Sequence, residues 1–320
     1  MHLVRMIPGL ALALVCCATA RSQIKDEATA HGVRYGEART QKYRVGVRIT
    51  ALGGSCKGLY ATIPVPMDWP EQQVRIVDED FSPPSTKVRY RTLDKGVQQM
   101  LVTIPLLRSG AKARALVTYE IRRRAILPPA DPSDLEIPKR VERAVKLYLG
   151  PSPYIESRNS RIRSLAKEIT AEKAPAWAKV EAIYDYVREH VEYRGGPLKG
   201  ALRALRDGNG DCEELSSLFI ALCRAAGVPA RTVWIPGHCY PEFYLVDAEK
   251  TGHWFPCQAA GARAFGEMNE DRPVLQKGDN FRVPEKPRDR QRYVAEFLRG
   301  TPGSGGGKPK VQFVRDLLPN

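Results

Sequence analysis

Residues 208–231 read GNGDCEELSSLFIALCRAAGVPAR, a well-made helix with a cysteine in its first turn. Asp211 is a good N-cap, Glu214 three residues on completes a capping-box pattern, and Gly227 followed by Pro229 stops the helix. Leu215, Leu218, Phe219 and Leu222 recur at i, i+3, i+4 and i+7 and form its buried stripe. At 100° per residue Cys212 lies about 20° from Phe219, at the edge of that stripe. It faces the protein yet stays reachable from the open end of the helix.

That position matters chemically. Unpaired N–H groups of a first turn favour an anion, and a thiol there can titrate well below its free value of about 8.5. The same N–H groups suit an oxyanion developing on a substrate carbonyl. Asp211, Glu213 and Glu214 oppose a thiolate by repulsion, so an imidazolium is needed beside it. Cys223, eleven residues on, reads as an inert core residue. Of five histidines, His2 falls in the leader, His31 lies in a poorly patterned segment, and His190 ends a helix, where the dipole explains it. His238, opening HCYPEFYL, and His253, opening HWFPCQ, remain as partners for the thiol.

The fragments GDCEELSSLFIALCRAAGVPAR, GHCYPEFYL and WFPCQ, in this order and spacing, resemble the transglutaminase-like superfamily, a papain-like cysteine hydrolase core. With EHVEYR upstream, the likeness covers about residues 145–260. It implies Cys212 as nucleophile and His238 as general base, then general acid. The third member, normally Asp, aligns with Gln258, whose amide can orient the imidazole but not stabilise its charge. Glu242 and Asp247 are candidate assisting carboxylates. The resemblance implies a peptide or protein amide substrate, of peptide or peptidoglycan type, with no cofactor and no metal. His238, Cys239, His253 and Cys257 could be drawn as zinc ligands, but their spacing matches no zinc pattern.

If residues 238–246 and 250–258 form an antiparallel hairpin with opposed numbers summing to 496, His238 faces Gln258 and Cys239 faces Cys257. A Cys239–Cys257 bridge is then expected in an oxidising compartment, leaving Cys56, Cys212 and Cys223 unpaired.

Export is read from the first twenty residues, MHLVRMIPGLALALVCCATA: Arg5, an apolar run from Met6, then Ala18-Thr19-Ala20 for cleavage. The run is too short for an anchor, so a secreted or periplasmic protein without stable membrane insertion is expected. The formal charge is +14 for the whole chain, and +13 without Arg5. Outside the cytoplasm such a charge suits an anionic cell-wall polymer and argues against nucleic acid as partner.

Elsewhere KYRVGVRITA, KVRYRTL, VQQMLVTIP and AKARALVTYEIRRR alternate as strands, while RNSRIRSLAKEIT and PAWAKVEAIYDYVREHVEYR carry helical spacing. RTVWI, EFYLVDA and HWFPCQAAG, then RYVAEFL and KVQFVRDLL, read as strands again. The fold expected is α+β, a papain-like transglutaminase core of helices plus antiparallel sheet preceded by a β-sandwich. The units are a leader over 1–20, an Ig-like sandwich over 35–130 and a transglutaminase-like domain over 139–320. A Pro/Asp-rich connector spans 127–138, and a flexible Gly-rich loop 300–309. The function expected is an exported thiol enzyme on amide bonds, by hydrolysis or transglutaminase-type acyl transfer. The alternative is a catalytically weak or inactive scaffold that keeps the fold.

Overall fold

A computed structural model describes residues 32–173 and 175–319. The leader over 1–20 and His31 lie outside the described residues.

Six strands come first: β1 (Arg34–Leu52), β2 (Cys56–Val65), β3 (Gln72–Ser82), β4 (Lys87–Leu93), β5 (Val97–Leu107) and β6 (Lys112–Leu127). A helical stretch follows, with α1 (Arg143–Lys146), α2 (Ser160–Thr170), α3 (Ala176–His190), the short β7 (Glu192–Tyr193), α4 (Ala201–Asp207), the short β8 (Asn209–Gly210) and α5 (Cys212–Ala225). The chain ends in β9 (Ala230–Ile235), β10 (His238–Val246), β11 (Gly252–Pro256), β12 (Gln276–Lys277), β13 (Phe297–Pro302) and β14 (Lys308–Leu318). Helices and antiparallel sheets together give the α+β class.

Two sheets carry all but two of the strands, and β7 and β8 form a separate parallel pair. One runs β14-β1-β6-β3; the other runs β11-β10-β9-β12-β5-β2-β13, with β4 also on β5. Alternate residues of β1 and β6, among them Tyr43, Val45, Ala115 and Val117, share one apolar cluster with Leu59 and Ile63 of β2 and Val102 of β5. A second cluster joins α2, α3 and α5 to β10 and β11, with Trp177, Tyr184, Phe219, Phe243, Phe255 and Phe265 in edge-on and stacked contact.

The halves are less separate than a boundary at 127–138 suggests. β12 is two residues long, but Gln276 pairs with both Val97 of β5 and Trp234 of β9, making one continuous sheet. Lys277 then reaches Glu71 at 2.7 Å and Glu242 at 2.6 Å, all three side chains buried. The last two strands leave the segment to which the sequence assigns them: β13 pairs with β2 and β14 with β1. Residues 300–302 and 308–309 of the expected loop are strand. The turn between them is tied to Ser55, whose N–H donates to Ser304 at 3.0 Å and whose carbonyl accepts from Gly303 at 2.7 Å.

The hairpin of β10 and β11 has a register of its own. Glu242 opposes Pro256 and Leu245 opposes His253, so opposed numbers sum to 498 rather than 496. Cys239 therefore does not face Cys257, and all five described cysteines are free. The expected Cys239–Cys257 bridge is absent: Cys257 packs in the helical core, while Cys239 turns toward α5 and lies 3.9 Å from Ser216 Oγ. Among the described residues no helix is long and apolar enough to cross a membrane.

Candidate active site

Each part of the site is set by local chain chemistry. The β7–β8 pairing holds the approach to α5, through Glu192 N–H on Gly208 O at 2.9 Å and Arg194 N–H on Gly210 O at 2.7 Å. Gly210 must be glycine for space, since a Cβ there would stand 2.4 Å from Glu214 Cβ. The capping box forms as its residues dictate: Asp211 accepts from Glu213 N–H at 2.7 Å, and Glu214 accepts from Asp211 N–H at 3.1 Å. Cys212 follows as the first helical residue, half-buried at the edge of the core.

His238 opens β10 directly after a two-residue turn, Pro236–Gly237, closed by the His238–Ile235 pair. Proline then glycine at φ +71° is the residue choice of a type II turn. Gln258 comes from the chain beyond β11. Its N–H donates to Ala264 O at 2.8 Å, and its carbonyl accepts from Tyr184 Oη at 2.9 Å and Arg188 Nη1 at 3.0 Å. Two residues of α3 thus fix its backbone, a clamp the sequence reading misses because Tyr184 and Arg188 look like ordinary helix positions.

These elements bring Cys212, His238 and Gln258 together. His238 Nε2 stands 2.9 Å from Gln258 Oε1. An amide oxygen only accepts, so Nε2 carries the proton, and Nδ1 is left for the hydrogen bond between the His238 ring and Cys212. His238 and Gln258 are not the cross-strand partners that the 496 register expects; β11 ends at Pro256, and their side chains meet beyond the paired strands.

Cys239 contributes most to the thiol, which the disulfide expectation hid. Its S–H is the largest influence lowering the Cys212 pKa, to about 4. Burial opposes the shift, while the His238 ring, the Cys239 backbone N–H and the imidazolium charge add to it. Cys239 itself is driven well above the ordinary thiol range by that same bond to Cys212 and by burial, so it remains the donor. Burial works against a charged His238, but its bonds to Cys212 and Gln258 outweigh this and raise its pKa. Glu213 is lifted to about 7, mainly by burial, although Arg292 pairs with it. The repulsion expected from this carboxylate is thereby reduced near neutrality.

Cys239→Ala should therefore raise the Cys212 pKa by about one unit, the lower end of what a hydrogen bond to a charged group gives. Cys239→Ser, which keeps a donor, should leave it low. Thiolate absorbance followed against pH decides; equal titrations in both variants would remove Cys239 from the account.

The remaining candidates go elsewhere. Glu242 lies between Lys277 and Arg231, at 2.6 and 2.9 Å. Burial disfavours its charge, but the two cations prevail and keep its pKa below normal. Asp247 accepts from His253 Nε2 at 2.8 Å and from Thr251 N–H at 2.8 Å. Both carboxylates are engaged in these structural contacts, so the expectation that one assists His238 is not met. His253, Cys257, Cys239 and His238 take different partners rather than converging, and among the described residues no group of three or more His, Cys, Asp or Glu is placed to hold a metal.

The site thus sets a cysteine at a capped helix start beside a histidine at a strand start, on helices backed by antiparallel strands. Residues 163–259 match the family model of the transglutaminase-like superfamily. Over the whole fold the chain is similar to a protein from Cytophaga hutchinsonii described as a "putative cysteine protease", with TM-score 0.58 and 17% identity, covering 90% of this chain and 93% of that one. The periplasmic domain of TgpA from Pseudomonas aeruginosa is a looser likeness, with TM-score 0.33 and 14% identity over 67% of this chain and 89% of that one. None of the curated proteins matches the sequence closely enough to count as a relative. In general terms the superfamily match points to thiol-hydrolase or transglutaminase-type chemistry.

Proposed function

We propose that the protein is an exported thiol enzyme that cleaves amide bonds through an acyl-enzyme. The observation that carries this reading is the Cys212–His238–Gln258 chain, with the thiol lowered to about 4 and the ring held at 2.9 Å by an amide oxygen.

Cys212 Sγ attacks the amide carbonyl carbon, and the oxyanion forms toward the first-turn N–H groups of α5. Imidazolium His238 gives its proton to the departing nitrogen as the C–N bond breaks, leaving a thioester and a neutral ring. Water then loses a proton to His238 while its oxygen attacks the thioester, and the acid leaves with the thiolate restored. An amine in place of water would give acyl transfer; hydrolysis is favoured because water is abundant. Gln258 supports the second reading, a weak or inactive scaffold, since an amide supplies no charge to an imidazolium. A peptide or cell-wall amide fits the basic chain, and the leader motif of residues 1–20 supports export.

An electrophilic peptide probe should label Cys212 faster than a free thiol, with Cys212→Ala losing both labelling and hydrolysis of any peptide or cell-wall amide cleaved by the wild type. Labelling no faster than free cysteine would favour the scaffold.

A further inference from the structure

Arg272 is absent from the chemistry above, yet it stands at its edge. Its Nη1 donates to Pro236 O at 3.0 Å, on the very turn that delivers His238. Nε and Nη2 grip the two oxygens of Glu270 at 2.9 and 2.6 Å, fixing the plane of the guanidinium. The side chain is 34% exposed, against 14% for Glu270. Its charge acts on both reacting groups: it opposes protonation of His238, and a Cys212 thiolate strengthens its own.

A guanidinium has five N–H donors. Glu270 and Pro236 occupy three, leaving one on Nη1 and one on Nη2, a pair suited to the two oxygens of a carboxylate. We infer that Arg272 binds a free carboxylate of the acyl donor, so that the enzyme prefers amides with an anionic group beside the scissile bond. This rests on the thiol-enzyme reading and adds the substrate class. A carboxylate arriving near a thiolate meets repulsion, and a pre-oriented cation at the same edge offsets it. Glu270 serves as the positioning residue, and Arg272 as the specificity contact.

Iodoacetate and iodoacetamide alkylate the same sulfur and differ in charge, so their rate ratio at Cys212 reads the local field independently of any substrate. The imidazolium contributes to that ratio in every variant that keeps His238. Arg272→Gln should lower the iodoacetate/iodoacetamide ratio about three- to ten-fold, the scale of one partly screened charge at close range. Arg272→Lys should keep most of the wild-type ratio. Arg48→Gln, the same charge change at an exposed residue of β1, should leave it unchanged. If Arg272→Gln fails to fold, Glu270→Gln replaces it and should raise the ratio by unmasking the guanidinium. An unchanged ratio in whichever variant folds, with Cys212 still reactive, overturns the carboxylate contact and leaves the thiol enzyme standing. A Cys212 inert to both reagents in the wild type overturns the thiol enzyme itself.

Discussion

His238→Ala should move the Cys212 titration upward by about one to three units and cut turnover about 10²- to 10⁴-fold. The thiolate is held by four favourable contacts, of which His238 supplies two: the ring hydrogen bond and the imidazolium charge. The Cys239 S–H and N–H survive the substitution, so the titration should stop short of an unperturbed thiol. The wild-type pair titrates as a unit. Below about pH 4 the thiol is protonated and unreactive. Above that the thiolate–imidazolium pair forms, and it persists until pH passes the raised pKa of His238, where the proton needed by the leaving nitrogen is lost. Turnover should follow a bell between these limits, whereas alkylation by iodoacetamide needs no proton donor and should stay high on the alkaline side. In His238→Ala the acid limb of alkylation shifts up. Identical alkylation profiles in variant and wild type would show that the ring does not govern the sulfur.

Much of this site was legible because its parts are local. The capping box is set by residues within one turn of each other, and the stripe of α5 by residues within two. What was missed depends on distant pairing. Opposition of Cys239 and Cys257 follows from assuming hairpin numbers that sum to 496, and a shift of two residues keeps the faces but changes every partner. With the register at 498, Cys239 becomes a donor to the thiolate rather than half of a bridge. β3 was missed for a different reason. It is an edge strand carrying Asp78, Glu79 and Asp80, residues depleted in strands, with Ile76 and Val77 exposed, so no clean alternation marks it. The two-residue β12 has no periodicity at all, yet it joins β9 to β5 within the larger sheet. β14 reads clearly as a strand, but nothing in its own residues says that it returns to β1 across the length of the chain.

Asp279→Ala should cost about 3–5 kcal/mol of stability, because it leaves a guanidinium buried without its counter-charge. Arg224 and Asp279 are 0% and 1% exposed, joined at 2.8 and 2.9 Å through both carboxylate oxygens. The remaining Arg224 donors go to Ala230 O, Gly150 O and Ser152 Oγ. Asp279 also accepts from Ser152 Oγ at 2.6 Å and Thr232 N–H at 3.3 Å. The pair therefore clamps the far end of α5 to the start of β9, and these two elements carry Cys212 at the near end of one and lead to His238 at the end of the other. Removing one partner should be worse than removing both. Arg224→Met with Asp279→Leu deletes the charge along with its partner and should lose much less stability than Asp279→Ala alone, as read from urea midpoints. Folded Asp279→Ala should also alkylate Cys212 more slowly than the wild type, since the helix start and the histidine lose their common anchor. If the single variant were no less stable than the double, the pair would be contributing packing alone, and the coupling between this clamp and the sulfur would have to be sought in the α3 contacts to Gln258.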